Sequence, residues 1–234
     1  MFKKAQMYAP TKHYMFPSLI LEKHDPNFTA VKSAVETNIF NHMTPDGRSY
    51  EEVGFVTLHL DNTFEPLFKF ATEAVKDYIL AFNADSDQFD FHIVKSWANI
   101  VKSQGNPIHN HADAHLSFVY YINIPDNIRT PITFYNHPAR YEPFRGFSRW
   151  NSITWDFLNS RTWQFVPKEG QVMVFPSAMD HETPAVSSEL ETGVKDLADL
   201  RTRRVSIAGD VIITYKELAA KPLGLQPVKN WRTF

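Results

Sequence analysis

Histidines stand at positions 109, 111 and 115, and a fourth lies far downstream at position 181, after the run Val172-Met173-Val174-Phe175-Pro176. Residues two apart in an extended strand point the same way, so His109 and His111 can address one ion from one face while Asn110 points away. The third ligand must come from elsewhere in the chain, and His181, which follows a strand and a proline turn, is the leading candidate. Metals that work with open positions need such a facial set of three, the remaining positions being left to substrate and oxygen. Arg204 opens another strand-like run, and a guanidinium there would hold an anionic co-substrate. The pattern points to a mononuclear metal site inside a β-barrel.

Plainer readings apply to the other histidines. A single histidine at a strand end is more often a surface or hydrogen-bonded residue, and His115 is read that way. His13, His24, His42, His59, His92 and His137 are scattered and receive no role. A competing frame lies in the same segment, because His111-Ala112-Asp113 opens like a two-histidine, one-carboxylate site. If Asp113 were a ligand, only Ala114 and His115 would remain before the apolar run beginning at Leu116. Ligands at His109 and His111 leave Ala112–His115 as a four-residue turn, within common hairpin lengths. The earlier frame is favoured, with Asp113 in place of either histidine kept open.

The chain has 234 residues, enough for one large core. Aromatic residues make up 14%, including 19 Phe and 5 Trp, which indicates a packed interior rather than disorder. A net charge of −2 argues against a bulk nucleic-acid or anionic-membrane binder. The basic cluster Arg201-Thr202-Arg203-Arg204 is too short to change that. Cysteine is absent, so any metal must sit on His, Asp or Glu. No stretch approaches the ~18 apolar residues of a membrane span, and the start of the chain lacks the apolar segment of a signal peptide. A soluble, cytoplasmic protein is expected.

The elements that would position these residues follow from periodicity. Residues 14–22 read as an early strand. Asp25-Pro26-Asn27 starts a helix with Val31, Ala34, Val35 and Ile39 on one face. Thr63 is a plausible N-cap for a stronger helix with Pro66 in its first turn. Leu67, Phe68, Ala71, Ala74, Val75, Tyr78, Ile79 and Phe82 repeat at the helical period there, and Asn83 marks the end. Beyond residue 90, Phe91–Val101, Leu116–Ile124, Pro131–Tyr135, Gln171–Phe175 and Val205–Tyr215 read as strands. Helices followed by strands suggest an α+β fold in which helices buttress one face of an antiparallel sheet or barrel. Residues 136–163, with Tyr141, Phe144, Phe147, Trp150, Trp155, Phe157 and Trp163, suggest a lid or substrate-facing insertion. Residues 187–200 look like a solvated excursion, partly helical.

Residues 91–215 resemble the iron(II)/2-oxoglutarate-dependent oxygenases, in particular the prolyl-hydroxylase-like group and its phage and bacterial relatives. Four pieces carry the resemblance. Ser96-Trp97-Ala98-Asn99-Ile100, with Gly105, Asn106 and His109-Asn110-His111, looks like the segment that delivers the first two ligands. Leu116 through Asn123 looks like the next strand. Phe175-Pro176-Ser177 with His181-Glu182-Thr183-Pro184-Ala185 is similar to the surroundings of the last histidine. Arg204-Val205-Ser206-Ile207 looks like the strand that anchors 2-oxoglutarate.

The resemblance implies a double-stranded β-helix (jelly-roll) barrel in a single domain over 1–234, with helical support over about 1–90 and a barrel core over about 91–215. It implies iron(II) on His109, His111 and His181, and Arg204 on the distal carboxylate of 2-oxoglutarate. Strand alternation puts Ser117, Val119, Tyr121 and Asn123 on one face, and Arg204, Ser206 and Ala208 on one face. Tyr121 is then the hydroxyl for the co-substrate carboxylate, with Ser206 as helper, and Asn99 stands where related enzymes place a co-substrate contact. The implied activity is hydroxylation of a C–H bond by dioxygen and 2-oxoglutarate, with release of succinate and carbon dioxide. The prime substrate would be a small molecule or a protein side chain, and a polynucleotide fits the charge less well.

Two departures stand out: a histidine at position 111 where the pattern has a carboxylate, and a long gap from His181 to Arg204. Coordination by Asp113 or Asp180 would change the ligand set but not the reaction class. Two other classes remain. A cupin-type metalloenzyme without 2-oxoglutarate also uses His-x-His, but normally has a Glu soon after the second histidine, which is missing here. The other is a non-catalytic barrel that binds a ligand or a partner.

Overall fold

The computed structural model describes residues 18–41, 57–101, 105–136, 160–185, 194–216 and 225–233. Its elements run β1 (Leu21–His24), α1 (Phe28–Asn41), α2 (Glu65–Leu80), β2 (Phe89–Val101), β3 (Asn106–His109), β4 (Leu116–Asn123), β5 (Ile132–Tyr135), β6 (Thr162–Phe165), β7 (Gln171–Pro176), β8 (His181–Thr183), α3 (Leu197–Leu200) and β9 (Arg204–Tyr215), with short 3-10 turns between. The strands form two antiparallel sheets, a larger one in the order β1-β7-β4-β9-β2 and a smaller one in the order β3-β8-β5-β6.

Strand alternation decides what each face of the larger sheet meets. Phe118, Tyr120 and Ile122 of β4 join Val205 and Ile207 of β9 in the main core, against Leu67, Phe68, Ala71 and Val75 of α2. Phe68 and Phe118 meet edge-on at 6.2 Å. The intervening residues point the other way. Tyr121, Met173 and Phe175 form a second, smaller cluster with Ile132 and Phe134 of β5, which ties the two sheets together.

A bulge in β2 lets this two-sidedness survive a change of phase. Ile93 opposes Val211 of β9, but the next pair is Lys95 with Asp210, so Val94 is an extra residue. Before the bulge Phe91 and Ile93 lie against the main core; after it Ala98 and Ile100 do. Lys95, Trp97 and Asn99 are thereby turned to the opposite face.

The structure corrects several local expectations. α2 starts at Glu65 with Pro66 in its first turn, but Thr63 is not its cap. Asp61 accepts a hydrogen bond from Thr63 N and caps a 3-10 turn, Asn62–Phe64, that leads into the helix. On α1 Ala34 is exposed, and the buried face is Val35, Glu36 and Ile39, with Glu36 accepting from Arg201 Nε at 2.9 Å. Asn83 does end α2's segment, at a positive φ of 56°. The early strand is displaced to Leu21–His24 and adds an edge to the larger sheet, so the N-terminal region is not purely helical support.

Most importantly, Ala112–His115 does not close a hairpin. β3 pairs with β8 and β4 with β7 and β9, so this turn carries the chain from one sheet to the other. Backbone bonds from His111 N to Ser177 O, from Ser177 N to His115 O and from His115 N to Val211 O hold it there. The aromatic insertion at 136–163 falls mostly outside the described residues, as do 14–17, 187–193, His13, His42 and His137; Trp163 lies on β6 and Leu197–Leu200 form α3.

Candidate metal and co-substrate site

Two rows of paired residues face each other across the space between the sheets. In the smaller sheet His109 of β3 opposes His181 of β8, which opposes Phe134 of β5. In the larger sheet Asn99 of β2 opposes Ser206 of β9, which opposes Tyr121 of β4. His111 follows β3 and leans toward the larger sheet, its ring 5.3 Å from that of Trp97. All of these except Phe134, with Thr183, Arg204 and Asp210, line a cavity of ≈ 570 Å³.

One ring nitrogen from each of His109, His111 and His181 lies within 4.8 Å of the others, the distance over which three ligands can share an ion. The other ring nitrogen of each is engaged. Nδ1 of His109 lies 2.7 Å from Pro107 O, and Nδ1 of His181 lies 2.9 Å from Met179 O. A carbonyl only accepts, so both imidazoles donate from Nδ1 and keep the Nε2 lone pair free for a metal. His111 Nδ1 lies 2.6 Å from Asp210 Oδ1, which imposes the same tautomer. Burial pushes the His181 pKa down to about 4, and the other two histidines push the same way, against the Met179 carbonyl and Asp210. His181 is therefore neutral near pH 7, the form that coordinates.

Asp113 and Asp180 do not join this group. Asp113 is exposed on the cavity wall, and Asp180 accepts a hydrogen bond from Asn110 Nδ2 at 2.7 Å. His115 lies apart, its Nδ1 accepting from Ile213 N at 2.9 Å.

Arg204 is 4% exposed, and its charge is met by no carboxylate among the described residues. Nη1 donates to Thr130 O at 3.2 Å and Nη2 to Thr183 Oγ1 at 2.9 Å, while Nε is buried without a partner among the described residues. Burial lowers the Arg204 pKa, with the neighbouring Tyr121 opposing. Burial likewise pushes the Tyr121 hydroxyl up to about 12, Arg204 working against it, so Tyr121 is a neutral donor. Asn99 Oδ1 is buried with no partner among the described residues, and Ser206 is buried on the same wall.

β8 links the two ends of the site. His181 and Thr183 share its inward face, one toward the histidine group and one on Arg204, while Glu182 points away to accept from the Tyr135 hydroxyl. At the start of β3, a Cβ on Gly105 would stand 2.0 Å from Thr183 O, so only glycine lets the chain approach β8 this closely.

Sequence reasoning missed Asp210, Ser117, Trp97 and Thr183. Two of them carried a usable signal. Asp210 continues the alternation Arg204, Ser206, Ala208 along β9, and Thr183 stands two residues beyond His181 on β8. Trp97 and Ser117 look like ordinary strand residues until the cavity is seen.

Residues 95–192 match the model of a family described as "Putative 2OG-Fe(II) oxygenase". No curated protein matches the chain by sequence. The solved structure of a non-heme monooxygenase, ThoJ, in its nickel complex shares this fold, at 11% identity and a TM-score of 0.53, over 90% of this chain and 81% of that one. A prolyl-4-hydroxylase from Pseudomonas putida aligns at 12% identity over 90% of each chain, with a TM-score of 0.43. An oxidoreductase of the 2OG-Fe(II) oxygenase family from Burkholderia pseudomallei aligns at 18% identity and a TM-score of 0.33, over 53% of this chain and only 44% of that one, so the chain spans less than half of that relative. No helix among the described residues is long and apolar enough to cross a membrane. The matched segment, 95–192, carries all three histidines and is similar to the 2OG-Fe(II) oxygenases.

Proposed function

We propose that this chain is an iron(II)- and 2-oxoglutarate-dependent dioxygenase that hydroxylates a C–H bond of its substrate with release of succinate and carbon dioxide. In this reading the two sheets are the halves of a double-stranded β-helix, and residues 1–234 form one domain. His109, His111 and His181 hold the metal. Arg204 takes the distal carboxylate of 2-oxoglutarate, assisted by Tyr121, Ser206 and Asn99.

The observation that carries the reading is the pairing of two unmet demands in one cavity. Three imidazoles present free lone pairs at one place, and at another a buried guanidinium has no anionic partner among the described residues. A buried unpaired charge costs several kcal/mol, on the order of the penalty left when a buried ion pair loses a partner. A diacid that chelates a metal at one end and meets a guanidinium at the other answers both. The donors fit it, because Arg204 offers a planar fork and Tyr121 a protonated hydroxyl.

When bound, the iron and 2-oxoglutarate supply the oxidising chemistry with dioxygen. The chain supplies the rest. Three histidines on one side leave the other coordination positions open. Arg204, held by Thr183 and Thr130, orients the diacid, and Trp97 and Val119 give the cavity apolar walls. The prime substrate, a small molecule or a protein side chain, would enter past Lys95, Trp97 and Asp113.

Anaerobic addition of iron(II) and 2-oxoglutarate tests the reading. A weak visible charge-transfer band that requires both components is expected, and His181→Ala should abolish it together with succinate formation. A wild-type protein that gives no band with both present would overturn the proposal. A band unchanged in His181→Ala would remove that residue from the metal.

A further inference from the structure

Three histidine ligands carry no charge, so a divalent metal bound by them alone would keep its full +2 in a cavity walled by protein. The structure places an anion one hydrogen bond away. Asp210 is 2% exposed and lies on the inward face of β9, six residues beyond Arg204. Its Oδ1 is 2.6 Å from His111 Nδ1 and accepts from Ser117 Oγ at 2.8 Å. Ser117 Oγ in turn lies 2.9 Å from Ser177 Oγ, so the carboxylate is fixed on two sides. Lys95 Nζ is 3.7 Å from Oδ2, and its side chain is 43% exposed. A cation at that distance and exposure screens the carboxylate weakly compared with a direct, buried partner.

We propose that Asp210 supplies the negative charge absent from the first ring of ligands, acting through His111 as a positioning residue for the metal. The inference rests on the metal-site reading above and deepens it. Two effects follow from one contact. As an acceptor, Asp210 holds the proton on Nδ1 and aims the Nε2 lone pair of His111 into the site. As an anion, it makes that imidazole a stronger donor to the metal and offsets part of the metal's charge. His109 and His181 receive only the first effect, because their Nδ1 partners are neutral carbonyls. The three ligands are therefore inequivalent, with His111 the most electron-rich.

The Ser117–Ser177 contacts allow a different role, in which Asp210 only ties β4 to β9. Metal binding separates the two. Cobalt(II) is titrated into the metal-stripped full-length chain and followed by its visible d–d absorption, with thermal melting of the metal-free proteins alongside. Asp210→Asn keeps an acceptor for Nδ1 but removes the charge, and should weaken cobalt(II) binding about 10-fold. Asp210→Ala removes both and should approach about 100-fold. The d–d bands should move in both variants. Wild-type affinity and spectrum in Asp210→Asn would overturn the inference, whatever the melting temperature does. The isosteric Asn variant decides alone if the Ala variant fails to fold. Failure of the wild-type chain to bind cobalt(II) would instead overturn the metal-site reading, and the role of Asp210 with it.

Discussion

At Arg204 the buried guanidinium meets one carbonyl and one hydroxyl, and its Nε–H has no partner among the described residues, a demand that the proposed anionic co-substrate would answer. Replacing it with alanine should weaken 2-oxoglutarate binding by about 2–5 kcal/mol, the range for breaking a buried hydrogen-bonded charge pair. Arg204→Lys should recover little of this, because an ammonium cannot present the same planar fork. Equilibrium titration of the iron-loaded variants with 2-oxoglutarate measures the difference, and unchanged saturation would remove Arg204 from the co-substrate. Residue types and strand parity made much of this neighbourhood legible. Arg204 and Ser206, and separately Tyr121, were placed on shared faces by alternation alone. The partner of His111 was not legible. An aspartate in an apolar run reads as a strand-end charge, and only the β4–β9–β2 pairing brings Asp210 under the histidine.

The long strands and α2 were readable at the element scale because each carries its periodicity over two or more turns or pleats. The short strands were not. β8 has three residues, β3 begins Asn-Pro, and β6 is mostly exposed, so none has a local signal and each exists through its partners. The hairpin expected between His109 and Leu116 failed for the same reason, since turn length says nothing about which sheet receives the next strand. The close approach of Gly105 to Thr183 makes β3–β8 pairing sensitive to a single methyl group. Gly105→Ala should force the two backbones apart and cost about 1–3 kcal/mol, typical of overpacking. Because His109 pairs with His181 across this same ladder, metal affinity should fall along with the melting temperature. A variant that melts earlier but binds cobalt(II) normally would show that the strain is absorbed before it reaches the histidines.

At the scale of the molecule, ligands that bind only the folded chain stabilise it by mass action. A metal present at 100 times its dissociation constant should add about 2.7 kcal/mol. For a chain of this size that amounts to a rise of roughly 5–10 °C in melting temperature. Chelator should reverse the rise, and His181→Ala should lack it; scanning calorimetry with and without cobalt(II) provides the check. The α+β class was legible from helices preceding strands, but the joining of β1 to the larger sheet was not, because a four-residue strand so far from β7 in sequence leaves no local trace of that pairing. The spare residue in β2 has its own implication for how such a chain can vary. Any side chain at Val94 leaves the sidedness of the strand intact, whereas a ladder that paired straight through, with Val94 rather than Lys95 opposite Asp210, would exchange inside for outside along everything that follows. Trp97 and Asn99 would be turned into the helical layer, and Ala98 and Ile100 would floor the cavity. At this place the molecule is constrained by where the ladder slips rather than by a letter.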